Sequence, residues 1–318
     1  MGSSWDLTVS GLAFHLDTDR EPAVSPAFLP FLTEGAEPDF RAVIRQTDRL
    51  PAVPETLLHK DVCYRVYSDG QGGFLRFFYE TPQSDTPYCV TASRGGDARV
   101  SYLEDGSVAF SGLQNCFYHL GFEGMLIRRK RLCLHAACVE TLLGGILFTG
   151  PSGIGKTTQA ELWCRHRNAR QINGDRPILS GDGEGWLAWG SPYAGSSRYH
   201  VNACCPVRAI VMLRQAPECG VRRLPPREAF RAVWSGLTVQ TWDREFVTAA
   251  CDLAAALIAD VPVYELRCTP DLRAVTCLEE VLEKENVYEN PYTGPRQSAD
   301  GLSVPQSRQA ADSPERNL

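Results

Sequence analysis

The residues of this chain that could do chemistry begin with a glycine-rich run at 150–157, which reads GPSGIGKT. It matches the pattern GxxxxGK[ST], in which glycines let successive backbone N–H groups turn toward phosphate oxygens. In this pattern Lys156 reaches the terminal phosphates and the Thr157 hydroxyl is placed to ligate Mg²⁺. The predicted nucleotide-binding residues are Gly150, Pro151, Ser152, Gly153, Ile154, Gly155, Lys156, Thr157 and Thr158. The run therefore predicts a site for ATP and Mg²⁺.

Two further polar residues stand where they could reach the same phosphates. Asp175 follows Lys156 by 19 residues, a distance that suits one helix and one strand returning beside the strand before the loop. The alternative is a solvated turn residue ahead of Pro177. His135 lies in the apolar run LCLHAACV, and it would approach the terminal phosphate if that run pairs with the strand before the loop. The alternative is a core histidine with satisfied hydrogen bonds.

Composition narrows the class of protein. The chain has 318 residues and a net charge of -6, and its basic residues are scattered, which argues against a nucleic-acid partner. No apolar run approaches the roughly 18 residues of a membrane span. The N-terminus has neither a basic nor an apolar signal segment, so we expect a cytoplasmic protein. The twelve cysteines form no CxxC pair and are predicted to be buried free thiols.

The first part of the chain, residues 1–127, predicts a β-rich domain. Apolar residues alternate with polar ones from Leu7 to Leu16, with a phase slip at Ser10 and Gly11 that indicates a bulge. Further predicted strands in an antiparallel sheet are Cys63–Tyr67, Phe74–Tyr79, Tyr88–Thr91, Arg99–Leu103 and Ser107–Phe110. The domain holds no group of residues with catalytic character, so it is predicted to be a scaffold or a substrate-docking domain.

Residues 128–285 predict an α/β domain around the glycine-rich run. Its predicted strands are Leu132–Val139, Gly145–Thr149, Arg170–Ile172 and Val207–Leu213. Its predicted helices are Thr157–Arg167, Pro226–Ser235, Arg244–Ala259 and Asp271–Glu285. Residues 286–318 contain several prolines and few large apolar side chains, so they predict a disordered tail.

Three segments taken in order, LHA, GPSGIGKTTQAELW and NGDRPIL, resemble the HPr kinase/phosphorylase-like family. The core of that family is similar to that of the ATP-dependent phosphoenolpyruvate carboxykinases. The resemblance covers residues 132–179 and continues more weakly to about residue 282. It implies an α/β P-loop core of HPr kinase type, preceded here by the β-rich domain.

Carried over to this chain, the resemblance implies a role for each candidate residue. Lys156 would act on the transferred phosphoryl group and Thr157 would bind Mg²⁺. Asp175 matches the acidic motif that takes the proton from an acceptor serine. His135 matches the histidine of a His-Gly motif, although Ala136 replaces the glycine.

The acidic motif of the family departs from its usual form in this chain. The family has two adjacent aspartates, and here only Asp175 stands between Gly174 and Arg176. The roles of base and metal ligand therefore stay unassigned. One carboxylate could serve both roles, with His135 or Arg176 assisting.

The sequence thus predicts an ATP- and Mg²⁺-dependent kinase that phosphorylates a hydroxyl, with serine on a protein or peptide as the expected acceptor. A kinase for a free amino acid or sugar stays open as an alternative. The missing second aspartate leaves a third alternative, a nucleotide-binding regulator with little transferase activity. A homo-oligomer is compatible with the chain. The segment at 190–198, GSPYAGSSR, is either a loop that closes over the site or an ordinary surface turn.

Overall fold

The computed structural model describes residues 2–94, 97–181, 183–193, 195–197 and 199–289. Of the predicted tail, residues 286–289 continue the last helix, and 290–318 lie outside the described residues. The described chain is a mixed α/β structure with two nine-stranded sheets and several helices.

The N-terminal sheet has the strand order β3-β1-β2-β4-β9-β8-β7-β6-β5. Its strands are β1 (Ser3–Val9), β2 (Leu12–Thr18), β3 (Leu32–Thr33), β4 (Phe40–Gln46), β5 (Leu57–Lys60), β6 (Tyr64–Ser68), β7 (Phe74–Phe78), β8 (Cys89–Arg94) and β9 (Asp97–Tyr102). The sheet is not wholly antiparallel as predicted, because β4 runs parallel to both β2 and β9. The long segment 19–39 carries the chain back to the start of β2 before β4 begins, and a parallel pair requires such a crossover.

Two local predictions in this sheet are wrong. Ser10 and Gly11 form the two-residue turn between β1 and β2 rather than a bulge, with φ of 51° and 75°. Two positive φ angles suit a tight hairpin because their twist matches that of the strands. The segment Ser107–Phe110 belongs to a 3-10 helix, Glu104–Phe110, and not to a strand. Its Phe110 ring packs 4.6 Å from the ring of Tyr102, which buries the end of this helix against the sheet.

The second sheet has the order β10-β14-β15-β16-β12-β11-β13, with β18 beside β16 and β17 beside β18. Its strands are β10 (Arg131–Cys133), β11 (Ala136–Thr141), β12 (Gly144–Thr149), β13 (Arg170–Asn173), β14 (Ile178–Gly181), β15 (Trp186–Trp189), β16 (Cys204–Gln215), β17 (Gly220–Arg223) and β18 (Val263–Cys268). Strands β12, β16 and β18 are parallel. Their carboxyl ends therefore lie at one edge, where ligands of open α/β sheets usually bind.

Helices cover both faces of the second sheet. The α-helices of the whole described chain are α1 (Leu113–Leu120), α2 (Phe122–Arg128), α3 (Lys156–Arg167), α4 (Pro226–Gly236), α5 (Arg244–Asp260) and α6 (Leu272–Glu289). Helices α3 and α6 pack on one face, and α4 and α5 pack on the other. All four predicted helices are present. Within the described residues, none is both long enough and apolar enough to cross a bilayer.

The two sheets share apolar packing through α2. Leu126 of this helix belongs to the aromatic core of the N-terminal sheet, while its neighbour Ile127 packs into the second core. Ile178 of β14 also joins the N-terminal core. The division predicted at residues 127 and 128 thus falls at the end of a helix whose side chains enter both cores.

The twelve cysteines are all free thiols. Six are buried, five are half-buried, and Cys63 is exposed, so the prediction of burial is wrong for Cys63. The two fully buried thiols of Cys138 and Cys205 lie with their Sγ atoms 4.0 Å apart. Burial raises the pKa of the Cys133 thiol to about 12, which keeps this sulfur protonated and inert at neutral pH.

The imidazole of His119 on α1 is predicted to make stability depend on pH. It is 4% exposed, and its Nδ1 and Nε2 lie 2.7 Å from the Asn115 carbonyl and 2.9 Å from the Tyr88 hydroxyl. Burial lowers the pKa of His119 to about 4, and the charge of Arg76 acts in the same direction. Between pH 6.5, the ordinary pKa, and about pH 4, the unfolded chain binds a proton that the folded chain rejects, so stability falls as pH falls.

The expected loss from this group is about 3 kcal/mol between neutral pH and pH 4. Denaturant unfolding at a series of pH values, on the wild type and on His119→Gln, measures it. Carboxylates contribute equally to both curves, so the difference between them isolates the imidazole. Parallel curves for the two proteins would contradict the assignment.

Candidate functional site

The glycine-rich run forms a loop between β12 and α3, and we call residues 150–155 the glycine loop. Gly150, Gly153 and Gly155 have φ of 139°, 77° and 110°, angles that are strained for any residue with a Cβ. A Cβ at Gly153 or Gly155 would meet no atom within 4 Å. These two glycines are therefore needed for their backbone angles and not for space.

The backbone N–H groups of the glycine loop are almost all available to a ligand. Among the N–H groups of residues 152–155, the one that donates a hydrogen bond within the described chain is that of Ile154. It donates to the Pro151 carbonyl at 3.3 Å. Helix α3 begins at Lys156, and the first turn of a helix adds N–H groups without intrahelical partners. Such a set of donors is suited to an anion such as a phosphate group.

Lys156 lies against the glycine loop. Its side chain is buried, and its Nζ donates to the carbonyl oxygens of Gly150 and Pro151 at 3.1 and 3.3 Å. Burial lowers the pKa of Lys156, while the carboxylate of Asp175 acts to raise it. Of the next two predicted residues, Thr157 is half-buried and Thr158 is exposed.

The predicted strand Leu132–Val139 is two strands, and His135 stands in the break. Leu134 N donates to the Pro177 carbonyl at 3.1 Å and His135 N donates to the Gly236 carbonyl at 2.7 Å. At these two residues, between the end of β10 and the start of β11, the backbone N–H groups therefore bond to α4 and to the chain before β14. His135 therefore lies outside the strands, and its ring faces the turn that carries Asp175.

The structure brings His135 and Asp175 together, with Nε2 3.2 Å from Oδ1. Strand β13, which leads to Asp175, pairs with β11 and not with β12, so the predicted return beside the strand before the loop is wrong. Asp175 nevertheless lies beside His135, because its carbonyl accepts a 3.0 Å hydrogen bond from the N–H of Ala136, the first residue of β11. Ala136 pairs with Thr149, the residue that precedes the glycine loop.

The surroundings of His135 favour its neutral form. Burial lowers the pKa of His135, the charge of Lys156 lowers it further, and Asp175 opposes both. Because a carboxylate only accepts hydrogen bonds, the 3.2 Å contact between Nε2 and Oδ1 places the ring proton on Nε2. The other oxygen of this carboxylate, Oδ2, lies 3.7 Å from Nε of Arg176. The carboxylate is therefore held between an imidazole and a guanidinium.

Asn173 holds the turn that carries Asp175. It is fully buried, and its Oδ1 accepts hydrogen bonds from the backbone N–H groups of Asp175 and Arg176 at 2.9 and 2.7 Å. Its Nδ2 donates to the carbonyls of Ser191 and Tyr193 at 3.0 and 3.2 Å. Sequence reasoning missed this residue. An Asn-Gly pair at the end of a strand is the signal that could have identified it, because asparagine bonds the backbone two residues on.

Described residues of the segment 190–198 contact the turn that carries Asp175, and residues 194 and 198 lie outside the described residues. Residues 191–193 and 195–197 are described, and a Cβ at Gly195 would come within 2.9 Å of the Cβ of Asp175. Ser191 Oγ donates to the Arg176 carbonyl at 2.6 Å. The segment thus contacts the site, and the prediction that it closes over a ligand stays a prediction.

Comparison with known proteins finds similarity at the level of structure. No protein-family model matches the chain, and no curated protein matches it. The Hpr(Ser) kinase/phosphatase from Coxiella burnetii is similar at 13% identity over 49% of this chain and 93% of that chain, with a TM-score of 0.31. A similarity of this size does not refine the classification of the described chain, which is mixed α/β by its own architecture.

A magnesium ion at this site would need phosphate oxygens among its ligands. Within the described ranges, no three His, Cys, Asp or Glu side chains are grouped so that they could hold a metal ion by themselves. Thr157 and Asp175 are the two predicted ligands. Mg²⁺ at phosphate sites usually takes one or two protein oxygens, with the substrate phosphates and water completing its shell.

Proposed function

We propose that this protein is an ATP-dependent phosphotransferase whose acceptor is a hydroxyl group, with serine of a protein or peptide as the expected acceptor. The observation that carries the proposal is the His135–Asp175 contact of 3.2 Å beside Thr149, where β12 runs into the glycine loop. Anion donors and a lysine on one side of this point, and an oriented carboxylate on the other, are the groups that phosphoryl transfer needs.

Each group has a role in the proposed reaction. The acceptor oxygen forms a bond to the γ-phosphorus, the bond from that phosphorus to the β–γ bridging oxygen breaks, and ADP leaves with the electron pair. Asp175 takes the proton of the acceptor hydroxyl, and His135 orients the carboxylate through its Nε2–H. Lys156 and the loop N–H groups stabilise negative charge on the transferred group.

Thr157 and Asp175 would hold Mg²⁺, which supplies charge neutralisation on the phosphates when it is bound. Asp175 is then shared between two tasks. Arg176 provides a second cation beside the carboxylate, since its Nε lies 3.7 Å from Oδ2. Its guanidinium is anchored by a hydrogen bond to the Thr238 hydroxyl.

One observation favours a second candidate, a nucleotide-binding regulator with little transferase activity. Arg176 follows Asp175 directly, so this turn offers one carboxylate where the family that the chain resembles has two. A regulator would bind ATP in the glycine loop and transfer its phosphoryl group slowly or not at all.

Transfer of labelled γ-phosphate from ATP with Mg²⁺ tests the proposal. The wild-type protein is incubated alone, with a pool of serine-containing peptides, and with a pool of amino acids and sugars. We expect label on a peptide or protein. Label on a small molecule would identify a metabolite kinase instead. Tight ATP binding with no movement of label would support the regulator and exclude the transferase.

A further inference from the structure

A groove of about 560 Å³ opens at the carboxyl ends of β16 and β18, and we call it the basic groove. Arg214 on β16 and Arg267 on β18 are opposite each other in the register of the two parallel strands. Arg222 on β17 lines the groove as well, and Glu265 is the acidic residue among the lining side chains of the described chain. All three arginines are exposed.

The charge of the basic groove is only partly neutralised. Glu265 lies 3.9 Å from Arg214 and 3.6 Å from Arg222, and Arg222 also lies 2.9 Å from Glu228. Over the described ranges, Arg267 has no carboxylate within 4.0 Å. Like charges directly opposite on neighbouring strands destabilise a sheet unless something compensates them. A surplus of positive charge here, in a chain whose net charge is -6, favours a negatively charged occupant.

The basic groove lies next to the glycine loop, on the side away from His135 and Asp175. Gln215 at the end of β16 donates from Nε2 to the Ile154 carbonyl at 3.5 Å. Strand β16 flanks β12 on one side, and β11, which leads from His135, flanks it on the other. A chain lying across this edge of the sheet would therefore contact the groove and the glycine loop together.

We propose that the basic groove binds a carboxylate-rich segment of a peptide. That this peptide is the phosphoryl acceptor rests on the proposed function, whereas the binding itself does not. A nucleoside is the other ligand that could extend from the glycine loop, but it is uncharged and is usually held between apolar or aromatic side chains. Among the described residues that line the groove, no side chain is aromatic, and the apolar ones are the small or medium-sized Ala216, Pro217 and Val221. Exposed guanidinium groups instead match carboxylates in charge and geometry.

Fluorescence anisotropy of a fluorescein-labelled octamer of aspartate, titrated with the full chain at low salt, tests the proposal. An octamer of asparagine is the neutral probe. The groove variant is Arg214→Gln with Arg267→Gln. Its control is Arg165→Gln with Arg244→Gln, which removes the same charge from exposed positions on α3 and α5. We expect the groove variant to bind the acidic peptide about tenfold more weakly, and the control variant to stay within about twofold of the wild type.

Three results would overturn the proposal. They are failure of the wild type to prefer the acidic octamer, equal losses in both double variants, and unchanged peptide binding in a groove variant that has lost affinity for ATP. The last result would assign the groove to the nucleoside. Because the readout needs no transfer, acidic-peptide binding without movement of label would contradict the kinase and leave the groove assignment standing.

Discussion

Lys156→Ala is expected to lower phosphoryl transfer about 10²- to 10³-fold, because it removes a cation that stabilises charge developing on the transferred group. Its Nζ now lies on the carbonyls of Gly150 and Pro151, at 3.1 and 3.3 Å. The ammonium is thus already placed at the loop that is proposed to bind the phosphates. Loss of these two hydrogen bonds costs about 1 kcal/mol each.

Transfer of γ-phosphate and the melting temperature are measured on the same preparations. The melting temperature of Lys156→Ala is expected to fall by no more than about 5 °C. Lys284→Ala serves as the control, since this lysine is exposed on α6 and makes the same change of charge. Normal transfer in Lys156→Ala would remove the lysine from the mechanism. A collapsed fold would show that the loop is structural.

Asp175→Asn is expected to lower transfer about 10²- to 10⁴-fold while ATP affinity stays nearly unchanged, because an amide cannot take the acceptor proton. The amide oxygen can still accept from Nε2 of His135, which now lies 3.2 Å from Oδ1. The backbone of the turn is also preserved, since Asn173 binds the N–H groups of residues 175 and 176. The variant therefore tests the carboxylate and not the fold.

A magnesium titration separates the two roles of this carboxylate. If Asp175 acts chiefly as a base, raising the Mg²⁺ concentration leaves the variant inactive. Recovery of transfer at high Mg²⁺ would assign it to the metal instead. Asp252→Asn on the exposed face of α5 is the matched control. Full transfer by Asp175→Asn at ordinary Mg²⁺ would exclude both roles.

Local patterns in the sequence predicted the elements around the site well. The apolar run before the glycine loop became β12, and the four helices of the second half are present. Elements whose ends depend on distant partners were predicted less well. The run LCLHAACV has continuous apolar character, yet Pro177 and Gly236 break it at residues 134 and 135. No periodicity can report a bond to a residue about a hundred positions away.

Residue types and spacing by themselves predicted the glycine loop, Lys156, His135 and Asp175 as candidate site residues. The tertiary structure alone decided how that pair meets, since β13 lies beside β11 and Asp175 reaches the site through a turn held by Asn173. It alone also brought Arg214 opposite Arg267. Local backbone conformation depends on neighbouring residues. Strand order depends on which buried faces pack together, and that is a property of the whole chain.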